Sequence, residues 1–438
     1  MTSEDLEGFV KAHQSLVPSY QSKLNLYLGN HEILTQQEKG GNRPDNRIVG
    51  NLAHYNIETF NGFFMGIPPK ITLDEQANNE ALQLWNSINS VQDKLTEISK
   101  QSSIFGRSIA FLYQNEESET CIAYNSPLES FMIYSDSISR GPLYFIRYFY
   151  NEDNELEGQC YSATEINSFN SDYTLSSEGV NVYGEVPAVE FFDNEERQGL
   201  NDNVATIINA HNKALSQKAN QVEYFDNAYL KVLGLALEEN EDGTPKANID
   251  GNQMIYSSDP DAKDAVVEFI EKPDGDTMQE NLLDRLMNLN YQISMIANIN
   301  DESFAGNSSG VSLEYKLLPM RNLAAVKERK FTQCLRKLYK IVFSVGVVTN
   351  SPDAWQQLNF KFYRNLPVNA ADEAGTAQAL NGIVSKETQL SVLSYVDDPK
   401  AEIERMRKEQ NDEVDNAVKN SPSSYDFEKT SGDIDAEE

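Results

Sequence analysis

The amino-acid sequence predicts a mixed α+β protein, and three features of the residue pattern lead to that fold class. Over residues 75–104, apolar side chains recur every three or four positions, which is the period of an amphipathic helix. From Arg107 to Tyr161 the period changes to two, and short apolar runs alternate with turn-forming clusters, as in a β-sheet. Two more helical stretches, over residues 199–228 and from Thr277 onward, enclose a polar segment of short strand candidates.

The N-terminal part begins with helices. We expect a first helix over residues 4–28, which Pro18 kinks or divides in two, because proline lacks the amide proton and clashes with the preceding turn. A second helix is expected over Arg47–Phe64 and a third over 75–104. An antiparallel meander of short strands, covered by these helices, follows. Its strands are Arg107–Tyr113, Thr120–Ala123, Ser130–Tyr134, Leu143–Tyr150 and Leu156–Tyr161.

Long helices dominate the second half of the chain. The stretch over 199–228 predicts one amphipathic helix of about seven or eight turns. A capping box of Thr277 and Glu280 predicts the start of a returning helix, because the two side chains can bond each other's backbone amides. A third long helix is predicted over Ser312–Val345. The later elements are a strand and two helices, at Leu358–Tyr363, 370–383 and 386–409.

The overall charge limits the partners that this chain can bind. It has 36 Lys and Arg against 68 Asp and Glu, a formal net charge of −32. Proteins that bind nucleic acid tightly carry a basic footprint. Because a surface this acidic repels phosphate, we expect transient contact with double-stranded DNA at most, without tight and extended binding.

Cysteine content and hydropathy argue against a disulfide framework, a metal site and a membrane span, and we separately expect no cofactor. Cys121, Cys160 and Cys334 lie far apart in the sequence, which argues against a disulfide framework and a zinc site and suits a reducing cytoplasm. The longest apolar stretch, around Ile341–Val348, is far shorter than the roughly 20 residues that cross a bilayer. The acidic N-terminus lacks the apolar core of a signal peptide.

The search for a catalytic motif finds none that its context supports. There is neither a G-x-x-x-x-G-K-[ST] loop nor an H-E-x-x-H motif. Gly306–Gly310 (GNSSG) matches the G-x-S-x-G nucleophile elbow, but a helix is predicted before it and no histidine follows His211. Acidic pairs are too common in this chain to single out a catalytic one. We therefore predict a non-enzymatic protein with no catalytic residues.

The third long helix is locally basic and has two interpretations. Between Ser312 and Lys340 it has eight Lys and Arg against two Glu. The cations could pair with acidic neighbours at a surface or subunit interface, or contact DNA phosphates. In so acidic a chain we favour pairing with acidic neighbours, and we keep both open. The candidate residues are Lys316, Arg321, Lys327, Arg329 and Lys330.

Several segments, taken in order along the chain, carry a family resemblance. They begin with RPDNRIVGNLAHYNIETFNGFFMGIPP (Arg43–Pro69) and SSIFGRSIAFLY (Ser102–Tyr113), in which a glycine joins a helix to a strand. The later ones are Val186–Gly234, Phe269–Thr277, Gly306–Met320, Phe362–Ala374 and Ile383–Gln410. No single segment is a catalytic signature, but together they cover nearly the whole chain. In this order they resemble the siphovirus-type family of bacteriophage portal proteins, also called head–tail connectors.

The resemblance implies a portal fold with an α/β wing, a two-helix stem, a small β-containing clip, a long wing helix and a helical crown. The implied boundaries are a wing at 1–195, first stem helix 196–228, clip 229–272, second stem helix 273–300, tunnel loop 301–310, long wing helix with returning strand 311–369, crown 370–410 and acidic disordered tail 411–438. The tunnel loop would face DNA. Its residues are Asp301, Glu302, Ser303, Phe304, Ala305, Gly306, Asn307, Ser308, Ser309 and Gly310.

The same resemblance implies a function and a set of partners. The chain would be a subunit of a channel at one capsid vertex, a homo-oligomeric ring of about twelve copies. Double-stranded DNA would pass through it during packaging and ejection. The expected partners are the terminase large subunit, the head–tail adaptor, and the major capsid and scaffolding proteins. The ring would assemble in the host cytoplasm and remain in the virion. Three alternatives stay open: another phage capsid or adaptor protein, a hydrolase or nuclease, and a cellular scaffold without a channel.

Overall fold

The computed structural model describes residues 1–38, 44–226, 230–233, 254–257, 266–269, 276–299, 310–349, 351–365, 370–393, 395–396 and 398–419. The mixed α+β class is confirmed, with helices packed around several small sheets. The chain divides into two units, Met1–Asn365 and Leu366–Glu438.

The first helix, α1, spans Ser3–Leu28 without a break. Thr2 and Asp5 form a capping box at its start, and Gly29 ends it in the left-handed conformation. Pro18 lies inside the helix, so of the two predicted alternatives, a kink or a division, the division does not occur. The one backbone hydrogen bond that proline removes is outweighed because α1 buries Leu6 and Val10 against a sheet.

Three further helices follow, and two predicted boundaries need correction. They are α2 at Leu52–Met65, α3 at Gln76–Ile88 and α4 at Val91–Phe105. The predicted start at Arg47 was too early, because Asn51 caps α2 by accepting from the amide of His54. The single helix predicted over 75–104 is two helices, since Ser90 has a φ of 49° and breaks the helical path.

The strands between α4 and α5 form two separate sheets rather than the one predicted meander. They are β2 Arg107–Gln114, β3 Thr120–Asn125, β4 Ser130–Tyr134, β5 Pro142–Tyr150, β6 Leu156–Tyr161, β7 Glu165–Phe169, β8 Leu175–Val180 and β9 Ala188–Phe192; β1, at Lys70–Thr72, precedes them. One sheet has the order β3-β2-β9 and the other β4-β5-β6-β7-β8. The meander prediction failed because β2 pairs with the distant β9, with Phe111 opposite Ala188. A local period does not reveal such a pairing.

The two sheets enclose an aromatic core. The ring of Phe111 on β2 lies 5.1 Å from that of Phe145 on β5 and 4.8 Å from that of Tyr161 on β6. Each fully buried side chain of this kind contributes roughly 1.5–3 kcal/mol. On the five-stranded sheet, Leu6 and Val10 of α1 complete a second cluster. The N-terminal helix is therefore an integral part of this unit.

Two helices with a small sheet between them in sequence come next. Helix α5 spans Ala205–Asp226, α6 spans Asp276–Ser294, and the two pack against each other. The described strands between them are β10 Leu230–Leu233, β11 Met254–Ser257 and β12 Val266–Phe269, in the order β11-β10-β12. The predicted sequence of helix, β segment and returning helix is confirmed. The predicted capping box is not formed: α6 already includes Asp276, and Glu280 pairs with Lys218 on α5.

The longest helix, α7, spans Gly310–Ser344 and agrees with the prediction. After a 3₁₀ turn, β13 at Asn359–Lys361 pairs antiparallel with β1. The amide of Asn365 then donates to the carbonyl of Phe63, 3.1 Å away. Gly66 makes this return possible, because a Cβ there would lie 2.2 Å from the Gly62 carbonyl oxygen and 2.5 Å from the side-chain nitrogen Nδ2 of Asn365.

The second unit is helical where it is described. Its helices are α8 Ala370–Ala379, α9 Lys386–Leu390 and α10 Pro399–Lys419. The continuous helix predicted over 386–409 was wrong, because α9 ends after one turn and Pro399 starts a new helix, a position that suits its fixed φ. Helix α10 also continues past residue 410, so 411–419 are helical where a disordered tail was predicted. Residues 420–438 lie outside the described part.

Candidate functional site

The residues that sequence analysis assigned to a DNA-facing loop fall almost wholly outside the described part. Residues 301–309 are not described, and Gly310 is the first residue of α7. The prediction for this segment therefore stays a prediction. The described backbone on its two sides is 295–299, which follows α6, and α7 itself.

Cations along α7 are largely engaged with acidic side chains of the same chain. Lys330 pairs with Glu195, Lys340 pairs with Glu185, and Arg321 lies 3.6 Å from Glu314. Lys316 also interacts with another group of the same chain. Arg329 is exposed. This pattern supports the interpretation of pairing with acidic neighbours, here within one subunit.

Lys327 is the exception among the five candidate cations, because it is only 1% exposed. Its ammonium lies 3.1 Å from the Asp193 carboxylate and donates to the Ser99 carbonyl and the Ser103 hydroxyl, at 2.9 and 2.8 Å. Burial lowers the pKa of Lys327, and the charge of Asp193 opposes that shift. Within the subunit Lys327 is therefore closed to solvent and pairs with an acidic neighbour of the same chain.

Aromatic rings surround the same ammonium. It lies 5.3 Å from each of the ring centroids of Phe60, Phe64 and Phe331, within the range of cation–π attraction. Asp193 accepts two further hydrogen bonds, from Ser102 at 2.6 Å and Ser103 at 3.1 Å. This set of contacts, which we call the lysine pin, joins α7 to α2, α4 and the end of β9.

A buried carboxylate lies on β9, three residues before Asp193. Glu190 is 6% exposed, and it accepts from the Tyr134 hydroxyl at 2.6 Å. Arg197 and Arg107 approach it at 3.3 and 3.5 Å. Burial, with the charge of Glu190, raises the pKa of Tyr134 above its ordinary value. Glu190 on β9 and Asp193 just after it are thus each paired with cations from other elements.

Neither buried cluster was found from the sequence. Lys327 lies in a run of lysines and arginines whose other members are at least partly exposed, and Glu190 lies in an apolar strand. The one available signal was the charged residue Glu190 within the otherwise apolar run that forms β9. Every residue of that strand is buried, and a buried charge is unusual.

The extended segment before α2 is held on α5 by a ladder of side-chain to backbone hydrogen bonds. Asn212, Ser216 and Asn220 are spaced four residues apart on one face of α5. Their side-chain oxygens accept from the amides of Gly50, Ile48 and Asn46, at 2.9, 2.8 and 2.6 Å.

The ladder of hydrogen bonds can form because the spacing of side chains along the helix matches the spacing of amides along the segment. Four residues of helix rise about 6.0 Å, and two residues of extended chain advance about 6.6 Å. Every second backbone amide of the segment therefore lies opposite every fourth side chain of the helix and donates a hydrogen bond to it. We call residues 46–50 the strap.

Helices α5 and α6 are also joined mainly by polar groups. Lys218 lies 2.8 Å from Asp276, and Gln279 donates to Gln221 at 2.7 Å. Near the other end of the pair, Asn56 of α2 donates to Asn201 and Asn290, each at 3.0 Å, and Asn290 donates back at 3.2 Å. The start of one helix thus lies beside the end of the other, so the pair is antiparallel.

The described part of the structure has a cavity beside α1, but neither a metal-binding cluster nor a membrane-spanning helix. A cavity of about 440 Å³ lies between α1 and the start of α5, next to the ion pair of Lys23 and Asp202, which are 2.6 Å apart. Among the described residues, no group of three or more His, Cys, Asp or Glu side chains could hold a metal ion. Within the same residues, no helix is long and apolar enough to span a membrane.

Intrachain ion pairs and the amide ladder hold the long helices of this subunit in position, which is compatible with a structural role. The family model described as "Phage portal protein, SPP1 Gp6-like" matches residues 8–416. The chain therefore belongs to the SPP1 Gp6-like family of phage portal proteins, which are structural and non-enzymatic. It is similar to the "Portal protein" of Bacillus phage SPP1, at 22% identity over 414 residues, covering 87% of this chain and 79% of that protein.

Proposed function

We propose that the chain is built as a wing, stem, clip, tunnel loop and crown, and that about twelve copies of it form the DNA channel of a phage head. In this proposal residues 1–195 and 311–369 form the wing. Helices α5 and α6 form the stem, β10–β12 belong to the clip, and 301–310 is the tunnel loop. The unit containing α8, α9 and α10 is the crown.

The observation that carries this proposal is the helix–sheet–helix arrangement within a chain of the portal family. Helices α5 and α6 lie antiparallel, and the strands β10–β12 come between them in sequence. A small sheet at one end of a helix pair is suited to protein contacts beyond the body of the subunit. We propose the terminase large subunit and then the head–tail adaptor as its successive partners, with the major capsid and scaffolding proteins around the wing.

The charge of the chain supports a conduit that does not retain its cargo. A channel that neutralised phosphates with Lys or Arg would release counterions and bind DNA strongly. The chain has a net charge of −32, and α7 pairs several of its cations internally. Repulsion screened over roughly 8 Å acts only near the wall and would centre the duplex. We propose a place for the ring at one vertex of the virion, after assembly in the host cytoplasm.

Shortening the proposed tunnel loop tests this function. The variant replaces residues 301–309 by a shorter Gly-Ser segment and keeps Gly310, which belongs to α7. We expect rings of unchanged mass by electron microscopy and light scattering, but at least a several-fold loss of packaged or retained DNA in proheads built with this portal.

A variant of the same length, in which Asn307 and Ser308 exchange places, is the control and should package normally. Normal packaging by the shortened variant would refute the role of the loop. A compact dimer or tetramer without a channel, for the unaltered chain, would refute the proposed ring.

A further inference from the structure

One strained turn follows the last residue of α6. Met295 has a φ of 61°, in the left-handed region that side chains other than glycine rarely adopt. A side chain other than glycine is strained in this conformation, so neighbouring contacts have to hold it. The next two residues, Ile296 and Ala297, are buried.

Tyr55 of α2 provides the polar contacts that hold this turn. Its hydroxyl donates to the carbonyl of Ala297 at 3.3 Å and accepts from the amide of Ile299 at 3.0 Å. One hydroxyl therefore fixes the backbone on both sides of residue 298. The ring of Tyr55 also meets that of Tyr291 edge to face, with centroids 5.8 Å apart.

The neighbouring residue of α2 fixes α6 itself. Asn56 and Asn290 are both 0% exposed and exchange two amide hydrogen bonds, at 3.0 and 3.2 Å. Their amides fill each other's donor and acceptor positions, so a shift of α6 along α2 would leave both unsatisfied. Consecutive residues of α2 thus set the position of α6 and the direction in which the chain leaves it.

We propose that Tyr55 is a positioning residue, which acts through the backbone of Ala297 and Ile299 to aim the chain that enters the tunnel loop. This inference rests on the proposed function, because it takes residues 301–310 as the segment that contacts DNA. Among the described residues, the Tyr55 hydroxyl contacts the backbone of Ala297 and Ile299, shortly before that segment. The strained turn at Met295 is the pivot, and Tyr55 is the contact that keeps it in one orientation.

Tyr55→Phe tests the proposal, since it removes the hydroxyl and keeps the aromatic ring. Tyr291→Phe is the matched control: it removes the hydroxyl from the other ring of the same pair, for which the described part of the structure shows no hydrogen bond. Both variants are made in the full chain, purified as rings and built into proheads beside the loop-shortened variant.

Hydrogen exchange of the peptide covering 295–299 is the first measurement. In Tyr55→Phe we expect about tenfold faster exchange in this peptide, the loss of about 1.4 kcal/mol of protection. Exchange in α6 should be unchanged, because Asn56 and Asn290 remain. Tyr291→Phe should exchange like the unaltered protein. Unchanged exchange in Tyr55→Phe would refute the contact itself.

DNA packaging is the second measurement, and it separates positioning from folding. We expect Tyr55→Phe rings to have normal mass and a melting temperature within a few degrees of the original, but several-fold less packaged DNA. Faster exchange with normal packaging, while the loop-shortened variant fails, would overturn the positioning role and leave the tunnel loop intact. Normal packaging by the loop-shortened variant would overturn both.

Discussion

Two long helices of this subunit are held by opposite kinds of chemistry. Helix α7 has one buried charged contact, where the ammonium of Lys327 meets Asp193 and three aromatic rings. Helix α5 is fixed along three turns, where neutral side chains accept from successive amides of the strap. One contact concentrates its energy in a single charge, and the other distributes it.

The lysine pin and the ladder respond differently to a substitution that removes one partner. A buried charge without its partner is costly, because the low dielectric around it leaves the desolvation energy uncompensated. A missing acceptor in the ladder leaves one partly buried amide without a partner and costs far less. The lysine pin therefore makes the packing of α7 sensitive to a single substitution, whereas the ladder divides that sensitivity among three side chains.

The largest expected effect is that of Lys327→Met, which breaks the lysine pin. Asp193 would remain in place with two serine hydroxyls but without its cation, and we expect a loss of about 3–5 kcal/mol in the free energy of unfolding. Thermal unfolding of the purified full chain, followed by circular dichroism, measures the change. The double variant Lys327→Met with Asp193→Leu should recover part of the loss, because no charge is then left buried.

Lys330→Met is the matched control on the same helix. Lys330 pairs with Glu195, whose side chain is 66% exposed, so this pair is screened by water. We expect a change below about 1 kcal/mol. Equal losses for Lys327→Met and Lys330→Met would show that burial of the pin does not matter.

A buried histidine on α1 is a neutral contact that can take up a proton when the pH falls. His13 of α1 is buried, with its ring nitrogens 2.9 Å from the Tyr148 hydroxyl and from the Pro127 carbonyl. Burial is the main cause that lowers the pKa of His13 from 6.5 to about 4. The unfolded chain therefore binds a proton before the folded one as the pH falls.

The stability that depends on neutral His13 is fully present above about pH 6.5 and is lost as the pH falls toward 4, by at most about 3 kcal/mol. His13→Gln cannot titrate, and its stability should vary less over that interval. The measurement is the difference in melting temperature between the two proteins from about pH 7.5 to pH 4. A constant difference would mean that His13 does not couple folding to pH.

Local patterns in the sequence predicted most elements of this fold, because helices and strands bury one face at a fixed period. The periods over 199–228 and Ser312–Val345 are examples, and each corresponds to a helix in the structure. The break at Ser90 was missed, since it depends on a single left-handed residue inside an otherwise helical period. The pairing of β2 with β9 was missed because it joins segments far apart in the chain.

The site was less predictable than the fold. Lys327 and Lys330 are three residues apart and look alike in the sequence, yet only the first is buried. The difference comes from the elements that pack around it, α2, α4 and β9, and no local pattern records that packing. Tyr55 gave no signal either, because its partners are the backbone of residues 297 and 299. Backbone groups are the same at every position.

The smallest expected effect concerns the ladder. Ser216→Ala removes the acceptor of the Ile48 amide and a donor to the Ile48 carbonyl, while the bonds at Asn212 and Asn220 remain. Because the amide is only partly buried, we expect a loss of about 1 kcal/mol, measured by thermal unfolding. Gln217→Ala, on the exposed side of the same turn, is the control and should change stability by less than about 0.5 kcal/mol.

Combining ladder variants distinguishes a distributed contact from a concentrated one. If Asn212, Ser216 and Asn220 act as separate rungs, the losses from Ser216→Ala and Asn220→Ala should add within about 0.5 kcal/mol in the double variant. A loss for Ser216→Ala alone as large as that for Lys327→Met would mean that one rung carries the strap. The contact between the strap and α5 would then be as concentrated as the lysine pin on α7, and the two helices would not differ in this respect.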